Sequence, residues 1–181
     1  MSDKTLVTPI LGVCAYGSGM GKTTLLLKLI PELISRGLRI SVVKHAHHRF
    51  DIDHPGKDSY RLREAGAAQM MIGSSRRWAL MTELAEIPDT AQVEPELADL
   101  LAQMDTKLAD LIMVEGFRHA PIAKIEVHRA SLGKPLLAAE DPTIIAVATD
   151  SPIAVPQPQL DINDVPAIAS FVIQWLETVR A

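Results

Sequence analysis

The stretch Gly17-Ser18-Gly19-Met20-Gly21-Lys22-Thr23-Thr24 constrains this chain more than any other. An apolar run at 10–15 precedes it, and Leu25-Leu26-Leu27-Lys28-Leu29-Ile30 follows without a gap. A buried strand, a glycine-rich turn and a helix starting on Gly-Lys-Thr-Thr are the setting of a phosphate-gripping P-loop. Glycines let successive backbone N–H groups curl into a concave nest, because no Cβ obstructs the turn. The first helical turn adds unpaired N–H groups and the positive end of the helix dipole. Lys22 then serves as a mobile point charge for β- and γ-phosphates, and the Thr23 hydroxyl as a ligand for Mg²⁺. The pattern departs from G-x-x-x-x-G-K-[ST] at its first position, where Tyr16 stands in place of glycine. That departure leaves the path of the loop's first turn open, while the anion site stays intact.

Leucine and isoleucine recur at helical spacing from 21 to 36, interrupted by Pro31 and closed by Gly37. A short apolar strand at 38–43 follows. Strand, helix and strand at this spacing make a right-handed βαβ unit and a parallel sheet. The expected fold class is α/β: P-loop NTPase-like, with a mostly parallel central sheet flanked by helices and a small β extension. Strands at about 67–73 and 76–81 joined by Ser74-Ser75 supply the extension, and the 181 residues suit one domain. Met70 and Met71 read as core filler there, and Trp78 as a half-buried strand residue that could alternatively stack on a base.

The second strand runs into Lys44-His45-Ala46-His47-His48-Arg49 and a polar, turn-rich loop containing Asp51, Asp53, Pro55-Gly56 and Lys57. In a parallel α/β sheet, ligands bind at the carboxyl ends of the strands. The loop can therefore be a substrate or nucleotide loop, a metal site built on His45, His47, His48 and the aspartates, or a solvated loop. Farther on, an apolar strand at 108–114 ends in Glu115. A carboxylate at that place, after a P-loop, holds Mg²⁺ and can orient a water. Asp110, at the other end of the strand, cannot share the site. The segment Ala123-Lys124-Ile125-Glu126-Val127-His128-Arg129 alternates like a half-buried strand, and a strongly apolar strand at 143–148 leads to Asp150. Asp150 then stands on the P-loop's rim. It is either an acceptor for guanine N1–H and N2–H, which adenine does not match, or a plain turn aspartate before Pro152. The last helix has Asn163 or Asp164 as its N-cap and Pro166 in its first turn.

The net charge of −4 disfavours nucleic acid or an anionic membrane as partner. The single cysteine, Cys14, cannot form an internal disulfide and reads as a small buried apolar residue in a reducing compartment. The N-terminus has no signal-peptide pattern, and no apolar run reaches the roughly 18 residues of a membrane span. A cytoplasmic protein is expected.

Taken together, these residues resemble the molybdopterin-guanine dinucleotide biosynthesis protein B family. The likeness lies in Gly19-Met20-Gly21-Lys22-Thr23-Thr24-Leu25, in Lys44-His45-x-His47-His48, and in Asp51-x-Asp53-x-Pro55-Gly56-Lys57-Asp58-Ser59. It continues in Arg77-Trp78-Ala79-Leu80-Met81-Thr82-Glu83, Val114-Glu115-Gly116-Phe117, Ala123-Lys124-Ile125 and Leu160-Asp161-Ile162-Asn163-Asp164. The resemblance implies a GTP-binding accessory protein of molybdenum cofactor synthesis with GTP and Mg²⁺ as cofactors. Such a protein is a dimer with weak GTPase activity and assists a separate guanylyltransferase that joins GMP to molybdopterin. On this reading Lys22 and Glu115 are the catalytic pair, Thr23 and Glu115 serve the metal, and residues 17–24 with Asp150 hold the nucleotide. His45, His47, His48, Asp51 and Lys57 face molybdopterin or the partner enzyme. No arginine or glutamine stands out as a hydrolysis aid, so turnover is expected to be slow, with Arg49, Arg76, Arg77 and Arg118 as candidates. Two other functions fit a P-loop chain of this size. One is a small-molecule kinase with Arg61 and Arg63 in a lid. The other is a nucleotide-gated binding module without turnover.

Overall fold

The computed structural model describes residues 8–46, 50–84 and 95–181. The chain divides into two compact units, one formed by Met1–His45 with Pro95–Ala181 and one by Ala46–Glu94.

The first unit is a six-stranded sheet in the order β2-β5-β1-β6-β7-β8. Its strands are β1 (Ile10–Cys14), β2 (Ile40–Lys44), β5 (Leu111–Glu115), β6 (Ala123–His128), β7 (Ile144–Thr149) and β8 (Gln159–Asp161). Every pairing is parallel. The expected α/β sheet is therefore present. The short β8 lies where the sequence suggested only a lead-in to the last helix.

Helices α1 (Lys22–Ser35) and α4 (Val165–Arg180) cover one face. α1 buries Leu25, Leu26, Leu29 and Leu33, and α4 buries Ile168, Ala169, Val172 and Leu176. Both stripes pack on Leu11, Val13, Ile125, Val127, Ala146 and Ala148 of the strands. That apolar stripe is what the helical spacing of leucines promised. α1 runs through Pro31 and ends where Gly37 takes φ 90°, with the Leu38 amide bonded to the Leu33 carbonyl. Such a left-handed terminal residue satisfies carbonyls that the helix leaves free. Asp164 caps α4 by accepting from the Ala167 amide at 3.0 Å. A short helix, α3 (Leu97–Ala102), places Leu97 with Val43, Ile112 and Val114 on the opposite face.

β6 corrects the sequence reading. Its alternation suggested one solvated face, yet Lys124, Glu126 and His128 are all buried. The segment after β6 folds back over that face. Its Leu137 and Ala138 amides donate to the two Glu126 carboxylate oxygens at 2.9 and 2.8 Å. Lys124 Nζ donates to the Ala120 carbonyl at 2.7 Å and pairs with Asp141 at 3.0 Å. Burial pushes the Glu126 carboxyl above its ordinary range, against the two amides that favour its charge. The long Lys124 stem crosses β1 at Gly12, where an added Cβ would lie 2.7 Å from Lys124 Cγ.

The second unit contains α2 (Asp58–Glu64) and an antiparallel hairpin of β3 (Gln69–Gly73) and β4 (Trp78–Thr82). The hairpin lies where the sequence placed it. Its side chains differ from expectation: Met71 is 61% exposed and is no core filler, and Trp78 is 65% exposed rather than half-buried.

Candidate functional site

The P-loop joins the end of β1 to the start of α1. Gly19 at φ 75° and Gly21 at φ 105° take the left-handed conformation that a Cβ disfavours. Among the described non-glycine residues only Phe117 has a positive φ, so Tyr16 occupies the first motif position in ordinary backbone. A glycine is not sterically required there. Tyr16 is instead held from outside: Arg118 donates to its carbonyl at 2.9 Å, and the guanidinium lies 5.8 Å from the ring centroid. The departure from the motif thus has a compensating contact.

Gly21 is the N-cap of α1 and makes no side-chain cap bond, so the helix's first amides stay available to an anion. Lys22 folds back and donates from Nζ to the Gly17 carbonyl at 2.8 Å. Burial lowers the Lys22 pKa, and the Glu115 charge opposes that shift. Thr23 follows and donates from Oγ1 to Glu115 Oε1 at 2.7 Å.

Glu115 ends β5, next to β1 and β2 in the sheet. In register with it, Lys44 ends β2. Lys44 Nζ reaches the two Glu115 oxygens at 3.1 and 3.2 Å. Lys44 is the site residue that the sequence analysis missed as a carboxylate partner. The signal for it was its place as the last residue of a strand adjoining β5. Immediately after Glu115 the chain turns sharply. Gly116 has φ 92°, and a Cβ there would fall 2.9 Å from His45 Cβ. The Phe117 ring tilts against His45 with centroids 4.9 Å apart. His45 therefore belongs to the Glu115 rim.

The other proposed substrate-loop residues belong to the second unit or lie outside the described residues. His47 and His48, with Arg49, lie outside the described residues. Asp51 and Lys57 belong to the second unit, where Asp51 is engaged internally: it accepts from the Asp53 amide at 2.9 Å and from Arg63 at 2.6 Å. Arg63 also bonds Glu83 at 2.8 Å, which ties down one arginine suggested for a kinase lid. Lys57 is the N-cap residue of α2. Asp110 is distant from the chemistry, as expected, and forms a two-pronged pair with Arg39 at 3.0 and 2.8 Å.

Asp150 directly follows β7 on the carboxyl rim and pairs with Arg129 at 2.9 Å. It is more than a free turn aspartate. Cys14 is fully buried and its thiol is pushed up to about 12 by burial, which makes it chemically inert. Among the described residues, no cluster of three or more His, Cys, Asp or Glu side chains could hold a metal ion. A site that shares its ligands with a bound triphosphate needs fewer protein donors. The Thr23 hydroxyl and Glu115 carboxylate are hard oxygen donors side by side, which fits Mg²⁺ held by one or two side chains plus phosphate oxygens and water.

The structure aligns over 93% of its length with a crystal structure of molybdopterin-guanine biosynthesis protein B, with TM-score 0.68 and 28% identity, covering 99% of that chain. A MobB homologue from Bacillus stearothermophilus aligns with TM-score 0.66 at 20% identity, covering 93% of this chain and 98% of its own, and supports the fold alone. By sequence, the chain is 50% identical over 178 residues to the molybdopterin-guanine dinucleotide biosynthesis adapter protein of Escherichia coli K12, with 98% of both chains covered. It is 48% identical over 169 residues to the adapter protein of the same name in Haemophilus influenzae, with 93% of this chain and 89% of that one covered. The sequence model of the family described as MobB, molybdopterin guanine dinucleotide synthesis protein B, matches residues 10–150, and the chain belongs to that family.

Proposed function

We propose that this protein is a GTP-binding adapter in the synthesis of molybdopterin guanine dinucleotide; the adapter part of that role is printed in the names of its curated relatives. One observation carries the nucleotide part: a lysine, a threonine and a carboxylate meet at the uncapped N-terminus of α1, with Thr23 and Glu115 at 2.7 Å. The amides of residues 17–24 and the Lys22 ammonium take the triphosphate. Thr23 and Glu115 hold Mg²⁺, which when bound neutralises charge building on the phosphate oxygens. Asp150 reads the guanine.

Hydrolysis is slow on this reading. Arg118, the candidate hydrolysis aid in the first unit, is engaged with the Tyr16 carbonyl and ring and with His119. Without a further cation at the γ-phosphate, P-loop sites turn over slowly. The partner is the guanylyltransferase that attaches GMP to molybdopterin, and His45, beside Gly116 and Phe117 on the Glu115 rim, meets the pterin phosphate or that enzyme.

We further infer a homodimer. The second unit exposes Met71, Ile72, Trp78 and Leu80 along a two-stranded hairpin, and such a hairpin is marginal in water without a covering partner. Among the described residues no helix is long and apolar enough to cross a membrane. A cytoplasmic location, with neither nucleic acid nor a membrane as partner, belongs to the same proposal, and the net charge of −4 is what supports the exclusion of polyanions.

The test is a reconstituted assay of GMP transfer to molybdopterin by the guanylyltransferase. Added adapter with Mg·GTP raises product yield on this reading, and phosphate release by the adapter alone stays slow. Rapid phosphate transfer to a small-molecule acceptor would establish the kinase alternative instead.

A further inference from the structure

The rim beyond β6 and β7 carries an ion pair that the phosphate site does not use. Arg129 follows the last residue of β6, and Asp150 follows the last residue of β7. The two strands are neighbours, with His128 and Thr149 in register. Both side chains therefore leave the sheet at the same level. Arg129 Nη1 donates to Asp150 Oδ2 at 2.9 Å. The turn that carries Asp150 is itself fixed, because Thr149 Oγ1 donates to the Ser151 carbonyl at 2.9 Å.

The other side of the guanidinium lies against the P-loop. A Cβ placed on Gly21 would come to 3.6 Å from both Arg129 Nε and Nη2. Arg129 thus spans from the glycine that caps α1 to the aspartate on the neighbouring strand end. The pair is open to solvent along one edge, with the two side chains 34% and 25% exposed. A pair that exposed contributes little to stability. Among the described residues Asp150 Oδ1 accepts no hydrogen bond, and the guanidinium has donors to spare beyond its single bond to Asp150.

We propose that Arg129 reads the nucleotide base together with Asp150, donating to the 6-oxo oxygen of guanine while Asp150 accepts from N1–H and the 2-amino group. The inference rests on the reading that the P-loop holds the triphosphate. On guanine the oxo acceptor and the N1–H donor are adjacent, as a guanidinium and a carboxylate are adjacent in this pair. Adenine presents an amino donor and a bare ring nitrogen at the same two points. It would set donor against donor and acceptor against acceptor, so both halves of the pair discriminate. The guanidinium is held by Asp150 before any base arrives, which limits the ordering cost of binding.

The test compares dissociation constants of Mg·GTP, Mg·ATP, 6-thio-GTP with Mg²⁺ and inorganic triphosphate for the wild-type chain, Arg129→Met and Asp150→Asn. A base-edge contact of this kind is worth about a 10- to 100-fold discrimination. In the wild-type chain, 6-thio-GTP keeps N1–H and the 2-amino group but presents a weak acceptor to Arg129. It is expected to bind at least several-fold more weakly than GTP. In Arg129→Met that difference vanishes and the preference for GTP over ATP narrows to the part that Asp150 supplies, while inorganic triphosphate, which has no base, keeps its affinity. Equal binding of GTP and 6-thio-GTP by the wild-type chain overturns the proposal, and this arm decides the matter even if Arg129→Met does not fold. Parallel weakening of GTP, ATP and triphosphate in Arg129→Met also overturns it, because Arg129 would then be a phosphate contact. Failure of the wild-type chain to bind either triphosphate or GTP is a separate result that removes the phosphate-site reading beneath it.

Discussion

Thr23 and Glu115 are 92 residues apart in sequence, and their side chains meet at 2.7 Å. The contact exists because β1 and β5 are adjacent parallel strands whose carboxyl ends lie level, with Val13 in register with Glu115. The P-loop rises from one strand end and the carboxylate from the other. A hydroxyl and a carboxylate so placed suit a metal ion that also binds phosphate.

Glu115→Gln removes the charge while keeping the shape. Lys44 then loses its partner across β2 and β5. The expected result is loss of most of the Mg²⁺ dependence of GTP binding, at least about tenfold, as for a charge-assisted contact worth about 1.5–3 kcal/mol. Titration of GTP with and without Mg²⁺ measures it. An unchanged Mg²⁺ effect removes Glu115 from the metal site.

Gly12→Ala tests the buried lysine. The new methyl would sit 2.7 Å from Lys124 Cγ and 3.2 Å from Ile122 Cδ1. Lys124 cannot swing away freely, since its ammonium is bonded to Ala120 and Asp141. Overpacking of this kind costs about 1–3 kcal/mol. Denaturant melts should show that loss, and a melt within error of wild type contradicts the packing described for β6.

Asp110 gives a pH signature. The Arg39 guanidinium and amide hold its carboxyl at about 2, below the ordinary aspartate value of about 3.9. The folded carboxyl binds its proton less readily than the unfolded one. Its stabilising contribution is therefore complete above about pH 4 and disappears as pH falls toward 2. Asp110→Asn is expected to melt with a flatter acid limb between those values and to match the slope of wild type above pH 5. An identical acid limb in both proteins contradicts the pairing.

Much of this was legible in the sequence, because the informative signals are local. The P-loop glycines, the leucine stripe of α1, the carboxylate at the end of β5 and the hairpin at 69–82 are each set by neighbours within a turn or a strand. The failures share a cause: they depend on what covers a residue from far away. Lys124, Glu126 and His128 alternate like a solvated face. They are buried because an irregular segment without periodicity folds over them and donates its amides to Glu126. Lys44 and Arg129 became visible as partners of Glu115 and Asp150 only once the strand order was known. Tyr16 seemed to break the P-loop motif. Its ordinary backbone and the Arg118 contact show why that position tolerates a side chain.

The most direct measurement is calorimetric titration of Mg·GTP into the wild-type chain and into Lys22→Ala. One tight site per chain is expected in the wild type, and a loss on the order of 2–3 kcal/mol in the variant with its fold intact. Equal GTP affinity in the two proteins would contradict the claim that the loop between β1 and α1 grips the triphosphate.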